Sequence, residues 1–260
     1  MSVFTFRRVS CNELPQGPRH LFVVGDSHAG AYGTMLYKLA QERGTEVVLF
    51  MKAGCAYMSL QRPTESRCAP FVDLSTAEIL RRAVPGDVVL LASLRVPKLS
   101  DQTGGLPETE RVSYSIEGDD KTERTRALDE AHALLGRLDK VGLQVVIDAP
   151  KPVFKSPAFR CSDWFNSMNA VCSGGLALSR DFLLEHRRPA MQSLAALAAA
   201  NPRLLIWDPL PVLCPEEICR AVDARGPLFF DGDHLSALGN RVLYPSFLST
   251  LEMRRAKRHE

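Results

Sequence analysis

A serine hydroxyl is a poor nucleophile until a base stands beside it, so a serine placed at the end of a buried strand raises the question of its partner. Ser27 is such a residue. It lies in "LFVVGDSHAGAYG", residues 21–33, where an apolar run stops at Gly-Asp-Ser-His and gives way to a small-residue, helix-like pattern. Six histidines are available as the base. His20 precedes the strand at its opposite end, and His28 adjoins Ser27 on a helix start and points elsewhere. His132, His186 and His259 fall in helical or tail patterns that read as exposed. That leaves His234, in "LFFDGDHLSALGN", residues 228–240. Asp231 stands three residues ahead of it, close enough to accept a hydrogen bond from the ring and fix its tautomer while the other nitrogen faces Ser27. This is the logic of a Ser-His-Asp triad assembled by a turn. Asp233 is the competing acid, but a side chain adjacent in sequence is expected to point away. The plain alternative makes Asp26 and Asp231 helix N-caps and "DGDH" an Asx turn.

The elements around these residues have one character. "HLFVVGD", "TEVVLFMK", "DVVLLASL", "LQVVIDAP" and "RLLIWDP" are short runs, apolar almost throughout, as strands buried on both faces should be. Helical patterns alternate with them over Ala31–Arg43, Ser75–Ala83, Arg124–Val141, Ser179–Ala200 and Ala237–Arg255. The expectation is a five-stranded parallel sheet between two helical layers, a flavodoxin-like α/β/α sandwich forming one domain over residues 1–260. Two longer connections interrupt the rhythm: residues 96–122, and residues 150–176 with three prolines and two cysteines. Connections of that length are more often binding loops than extra domains. Ligands of such sheets collect beyond the carboxyl ends of the strands, where Ser27 lies. Its amide opens a helix, where unpaired N–H groups and the helix dipole favour developing negative charge.

Composition excludes other classes. Lys plus Arg at 32 against Asp plus Glu at 30 leaves a net charge of +2, too balanced for a nucleic-acid binder. No apolar stretch reaches the roughly 18 to 20 residues of a membrane span, and "MSVFTFRRVS" lacks the apolar middle of a signal peptide. The seven cysteines say more about location. Cys55 and Cys68, Cys161 and Cys172, and Cys214 and Cys219 bracket three loop-like segments in which local pairing is easy, and none of these spacings supplies a zinc set. Three short disulfides are therefore expected ahead of metal, each contributing on the order of 2 kcal/mol. Bridges imply an oxidising compartment although no export signal is present. The simplest reconciliation is a piece of a longer exported or membrane-anchored protein, with Cys11 left over.

With these residues in view, the chain resembles the SGNH (GDSL-type) hydrolase superfamily, whose first block carries the serine and whose last carries Asp-x-x-His. More narrowly, "VVGDSHAGAYGTML" with "KAGCAY", and "LCPEEIC" with "GPLFFDGDHLSALG", look like the periplasmic SGNH domain fused behind an integral-membrane acyltransferase-3 domain. That resemblance implies an extracytoplasmic O-acetyltransferase acting on a bacterial surface glycan such as O-antigen, exopolysaccharide or peptidoglycan. The membrane partner would supply the acyl group, with no cofactor and no metal. Carried over by position, Ser27 is the nucleophile, His234 the general base, Asp231 its orienter, and Gly54 the glycine whose N–H joins that of Ser27 in the oxyanion hole. One block departs: no asparagine follows "DVVLLASLRVPKL", where Ser93 or Arg95 stands near the missing amide. Losing one oxyanion donor costs about 2.7 to 4 kcal/mol in other systems. For Arg95 the alternative is a salt bridge within the loop. A carbohydrate O-acetylesterase shares the acyl-serine chemistry, and a non-catalytic glycan-binding module shares the fold. Trp164, beside Phe165 in the second long connection, is a candidate to stack on a sugar ring.

Overall fold

A computed structural model describes residues 1–8, 17–99 and 120–256 of the chain. Cys11 and most of the first long connection lie outside the described residues. Among the described residues the longer strands are β1 (Ser2–Phe6), β2 (His20–Gly25), β3 (Glu46–Met51), β4 (Val88–Ala92), β5 (Gln144–Asp148) and β7 (Leu204–Trp207), with β6 (Ala177–Ser179) one of several short ones. Six of them form one sheet in the order β1-β3-β2-β4-β5-β7. The five that follow the apolar runs are parallel. The sixth, β1, is antiparallel to β3 at the edge, with Val3 opposite Phe50 and Thr5 opposite Val48. The sequence pattern did not announce it, because "SVFTF" is exposed along most of its length and lacks the continuous apolar run of a two-face strand. β6 lies apart and pairs with Ile218–Arg220.

The helices are α1 (Ser27–Ala31), α2 (Gly33–Arg43), α3 (Ala69–Arg82), α4 (Lys121–Asp139), α5 (Ala158–Cys161), α6 (Arg180–Ala200), α7 (Leu210–Leu213) and α8 (Ala237–Ala256). They cover both faces of the sheet, and the period of two along each strand decides which residue meets which layer. Leu21 and Val23 of β2 and Leu90 of β4 turn to one side, against Met35, Leu36 and Leu39 of α2 and Leu243 and Phe247 of α8. Phe22, Val24, Val89 and Leu91 turn to the other, against Phe71 and Ile79 of α3, Leu134 and Leu138 of α4, and Leu194 and Leu197 of α6. The larger departures from the pattern are at two helices. The helix expected from Ala31 is interrupted at Tyr32, which separates α1 from α2. α3 begins six residues before Ser75, with Pro70 in its first turn, where a missing N–H costs nothing. No helix among the described residues is long and apolar enough to cross a membrane.

Candidate active site

Ser27 is delivered by a turn that needs a glycine before it. Gly25 ends β2 so close to β4 that a Cβ there would lie 1.6 Å from the Ala92 carbonyl oxygen. Asp26 then caps α1, accepting a hydrogen bond from the His28 amide at 2.9 Å, and also one from the Leu94 amide at 3.0 Å. The same carboxylate therefore fixes the serine turn and ties it to the segment after β4. Burial pushes the Asp26 carboxyl up, against the lowering effect of those two amides. Ser27 is the first residue of α1, so its N–H is among the first-turn donors that have no acceptor within the helix.

His234 comes from the turn before α8. Asp231 Oδ1 accepts from the amides of Asp233 at 2.9 Å and His234 at 2.7 Å, so the turn winds around this carboxylate. Its other oxygen, Oδ2, lies 2.8 Å from His234 Nδ1. His234 Nε2 lies 2.7 Å from Ser27 Oγ, across a separation of 207 residues. With Nδ1–H donating to Asp231, Nε2 of the neutral ring accepts from the serine, and in the imidazolium both nitrogens donate. The second long connection braces the turn from behind: the amides of Phe154, Ala158 and Phe159 donate to the carbonyls of Gly232, Asp231 and Phe230. Asn240 on α8 locks the two halves together, donating to the Ala31 carbonyl at 2.7 Å and accepting from the Met35 amide at 3.4 Å.

The electrostatics follow from this packing. Burial opposes charge on His234, but the carboxylates of Asp231 and Asp233 outweigh it and raise the imidazole to about 9. Burial likewise opposes charge on Asp231, yet the His234 ring and the amides of Asp233 and His234 hold its carboxyl well below the usual range. Two expectations are corrected here. Asp233 does not point away: its Oδ1 is 2.8 Å from His234 Nδ1, outside hydrogen-bond direction, and its Oδ2 is 2.9 Å from Lys98 Nζ. The turn winding around Asp231 brings the neighbouring carboxylate back over the ring. His28 belongs to the site as well, its ring stacked on His234 with centroids 4.3 Å apart. Burial, with Lys151, His234 and Lys98 nearby, pushes the His28 imidazole well below its ordinary value and keeps it neutral. Among the described residues, His28, Asp233 and His234 are the one group whose metal-ligand atoms gather, within 4.8 Å. Their atoms already face the triad and Lys98.

The remaining candidates fall as follows. Gly54 sits in the turn after β3 at φ +68°, a left-handed conformation that glycine adopts without strain. Arg95 is 1 % exposed, and its guanidinium is spent on Asp148, with which it pairs, and on the carbonyls of Leu91 and Ser93. Asp148, at the carboxyl end of β5, also accepts from Tyr32 Oη at 2.9 Å and lies 3.6 Å from Lys151 Nζ. A charged lattice thus underlies the serine turn, and Arg95 belongs to it. Ser93 Oγ is buried without a hydrogen-bond partner. Trp164 is 86 % exposed and meets Phe165 edge-on. It projects from a loop closed by Cys161–Cys172, and Cys55–Cys68 and Cys214–Cys219 are likewise bridged. Sequence reasoning missed Lys98, Asp148 and Asn240. The signals were present for two of them: Asp148 is an acid ending an apolar strand, and Asn240 shares the buried stripe of α8 with Leu243 and Phe247.

Residues 6–249 match the family model described as the SGNH domain fused to AT3 domains. Comparison with curated proteins gave no match. Among solved structures, the periplasmic domain of the lipopolysaccharide acetyltransferase of Salmonella ser. Paratyphi A aligns over 90% of this chain and 84% of its own, with a TM-score of 0.57 and 13% identity. The acetyl xylan esterase AlAXEase aligns over 88% and 98%, with a TM-score of 0.47 and 15% identity. A catalytic mutant of the acetylxylan esterase Axe2 from Geobacillus stearothermophilus aligns over 92% and 96%, with a TM-score of 0.47 and 13% identity. At 13% identity the likeness to the acetyltransferase domain is one of fold.

Proposed function

This chain belongs to the family of SGNH domains fused to AT3 domains, and on that footing we propose that it is a serine-dependent O-acetyltransferase domain acting on a bacterial surface glycan outside the cytoplasm. The observation that carries the reading is the hydrogen-bonded series Ser27 Oγ, His234 Nε2, His234 Nδ1, Asp231 Oδ2, with distances of 2.7 and 2.8 Å at its two links. The family's fusion to a membrane acyltransferase-3 domain supports an acyl supply from across the membrane, and the three disulfides support an oxidising, periplasmic location. In this reading the chain is one piece of a longer membrane protein.

The chemistry has two balanced halves. His234 Nε2 takes the Ser27 proton as Oγ bonds to the acyl carbon, and the donor leaves with that proton. A glycan hydroxyl then attacks the acyl-serine, gives its proton to Nε2, and Ser27 recovers it as the C–O bond to Oγ breaks. Asp231 stabilises the imidazolium in each half. The N–H groups of Ser27 and Gly54 receive the oxyanion, with no third side-chain donor drawn from Arg95. Trp164, exposed beside Phe165, is the proposed contact for the acceptor sugar.

The test is acetylation of Ser27 by p-nitrophenyl acetate, read by peptide mass, followed by release to water or to added glycans. Acetyl should appear on the Ser27 peptide, vanish in Ser27→Ala and His234→Ala, and pass to a sugar hydroxyl when the cognate polymer is present. Rapid deacetylation of acetylated polymer, with no sugar acetylated from any donor, would assign the domain to the carbohydrate esterases.

A further inference from the structure

Asp233 occupies an unusual position for a residue with no assigned part in the reaction. It is a carboxylate, 3 % exposed, whose two oxygens meet no hydrogen-bond partner in good geometry. A buried carboxylate is costly unless cations or donors compensate it. Two cationic groups stand against it. Its Oδ1 is 2.8 Å from His234 Nδ1, and its Oδ2 is 2.9 Å from Lys98 Nζ, an exposed ammonium on the segment after β4. The other titratable groups around it are Asp231 on its own turn and His28 of α1, whose Nε2 lies 4.0 Å from Oδ2. Lys151, after β5, acts on His28 from below. His28 is buried and stacked on the catalytic ring, so it closes this side of the site against water.

We propose that Asp233 is a second positioning carboxylate for His234, acting on Nδ1 alongside Asp231, and that Lys98 is its counter-charge. The inference rests on the triad reading and deepens it. When Nε2 takes the Ser27 proton, the new imidazolium meets two carboxylates, each at 2.8 Å from Nδ1. Asp231 supplies the directed hydrogen bond and Asp233 the undirected attraction. When the ring gives the proton up, Lys98 remains at 2.9 Å to hold the Asp233 charge.

The signs of two substitutions separate this arrangement from a structural role. Asp233→Asn removes an anion beside the ring, so the imidazolium is less stable and His234 titrates lower, by about 1 to 3 pH units for a contact this close. Lys98→Met removes a cation, so the imidazolium is more stable and the titration moves up. Asp231→Asn leaves one carboxylate in place and should retain more acylation than His234→Ala. The experiment is an NMR titration of the His234 ring nitrogens in the wild-type chain, Asp233→Asn and Lys98→Met, with the pH profile of Ser27 acetylation by p-nitrophenyl acetate in parallel. Opposite displacements of the two variants, in both readouts, are expected. Coincident ring titrations of the wild-type chain and both variants would overturn the proposal, and Lys98→Met, altered at an exposed side chain, decides the matter even if Asp233→Asn fails to fold. Opposite ring displacements with no acetyl on Ser27 would uphold the Asp233 role and overturn the transferase reading.

Discussion

Arg95→Met is expected to damage stability far more than chemistry. Arg95 is 1 % exposed and Asp148 is fully buried, and the two are paired beneath the serine turn. Removing the guanidinium strands a carboxylate away from water, with the Tyr32 hydroxyl at 2.9 Å, the Ser93 amide at 3.4 Å and Lys151 Nζ at 3.6 Å as its remaining compensation. Breaking a buried pair by deleting one partner costs about 3 to 5 kcal/mol. The nearness of Lys151 argues for the lower end, about 3 kcal/mol. In a domain of this size each kcal/mol is worth about 2 to 4 °C, so the thermal midpoint should fall by roughly 6 to 12 °C. Urea unfolding followed by circular dichroism measures the first quantity. Acetylation of Ser27, assayed well below the lowered midpoint, measures the second and should fall less than about tenfold. An oxyanion role would give the reverse pattern, because losing one such donor costs about 2.7 to 4 kcal/mol of transition-state stabilisation, or 100- to 1,000-fold in rate. Stability held within about 1 kcal/mol, together with a hundredfold loss of acetylation, would refute the structural role and return Arg95 to the oxyanion hole.

The pH dependence should run in opposite directions for activity and stability. His234 must be neutral to accept the Ser27 proton, and with its folded value near 9, roughly one ring in a hundred is neutral at pH 7; acetylation should climb about tenfold per pH unit from 7 towards 9 and then level, and a flat profile across that window would contradict the base assignment. The same group has a folded value raised above its ordinary 6.5, so its imidazolium contributes stability fully below that point and loses the contribution as pH rises through about 9; urea midpoints should decline over the interval in which acetylation rises, and His234→Gln should flatten that decline. For the cysteines, peptide mapping without reductant should recover Cys55–Cys68, Cys161–Cys172 and Cys214–Cys219 as linked pairs. Opening Cys161–Cys172 by substituting both residues with Ala should cost about 3 kcal/mol for a loop of that size, and six free thiols in protein made under oxidising conditions would remove the periplasmic argument.

What was legible in the sequence is what depends on short-range pattern. A strand buried on both faces must be apolar throughout, so the five parallel strands stood out, and the serine turn at the end of one of them could be placed without knowing any distance. β1 escaped because an exposed edge strand satisfies only one side of the sheet and carries no such run. The pairing of Ser27 with His234 was legible for a different reason: elimination left one histidine, and Asp-x-x-His is a local motif that positions its own acid. Asp233 was misread because alternation of side chains holds for extended chain, whereas this turn curls around the Asp231 carboxylate through two amide hydrogen bonds and folds the neighbour back over the ring. What Lys98 and Asn240 would meet was invisible for the complementary reason. Each acts across a long separation, Asn240 on Ala31 from 209 residues away, and nothing in a single sequence records which distant carbonyl or carboxylate a polar side chain will meet. The acid and the serine can be read locally, but the groups that set the charge and angle of the base between them come from the segment after β4, from α1 and from α8. On the proposed reading those groups decide when His234 can take the Ser27 proton, so the pH at which the domain would work is a property of the fold that the Asp-x-x-His motif does not contain.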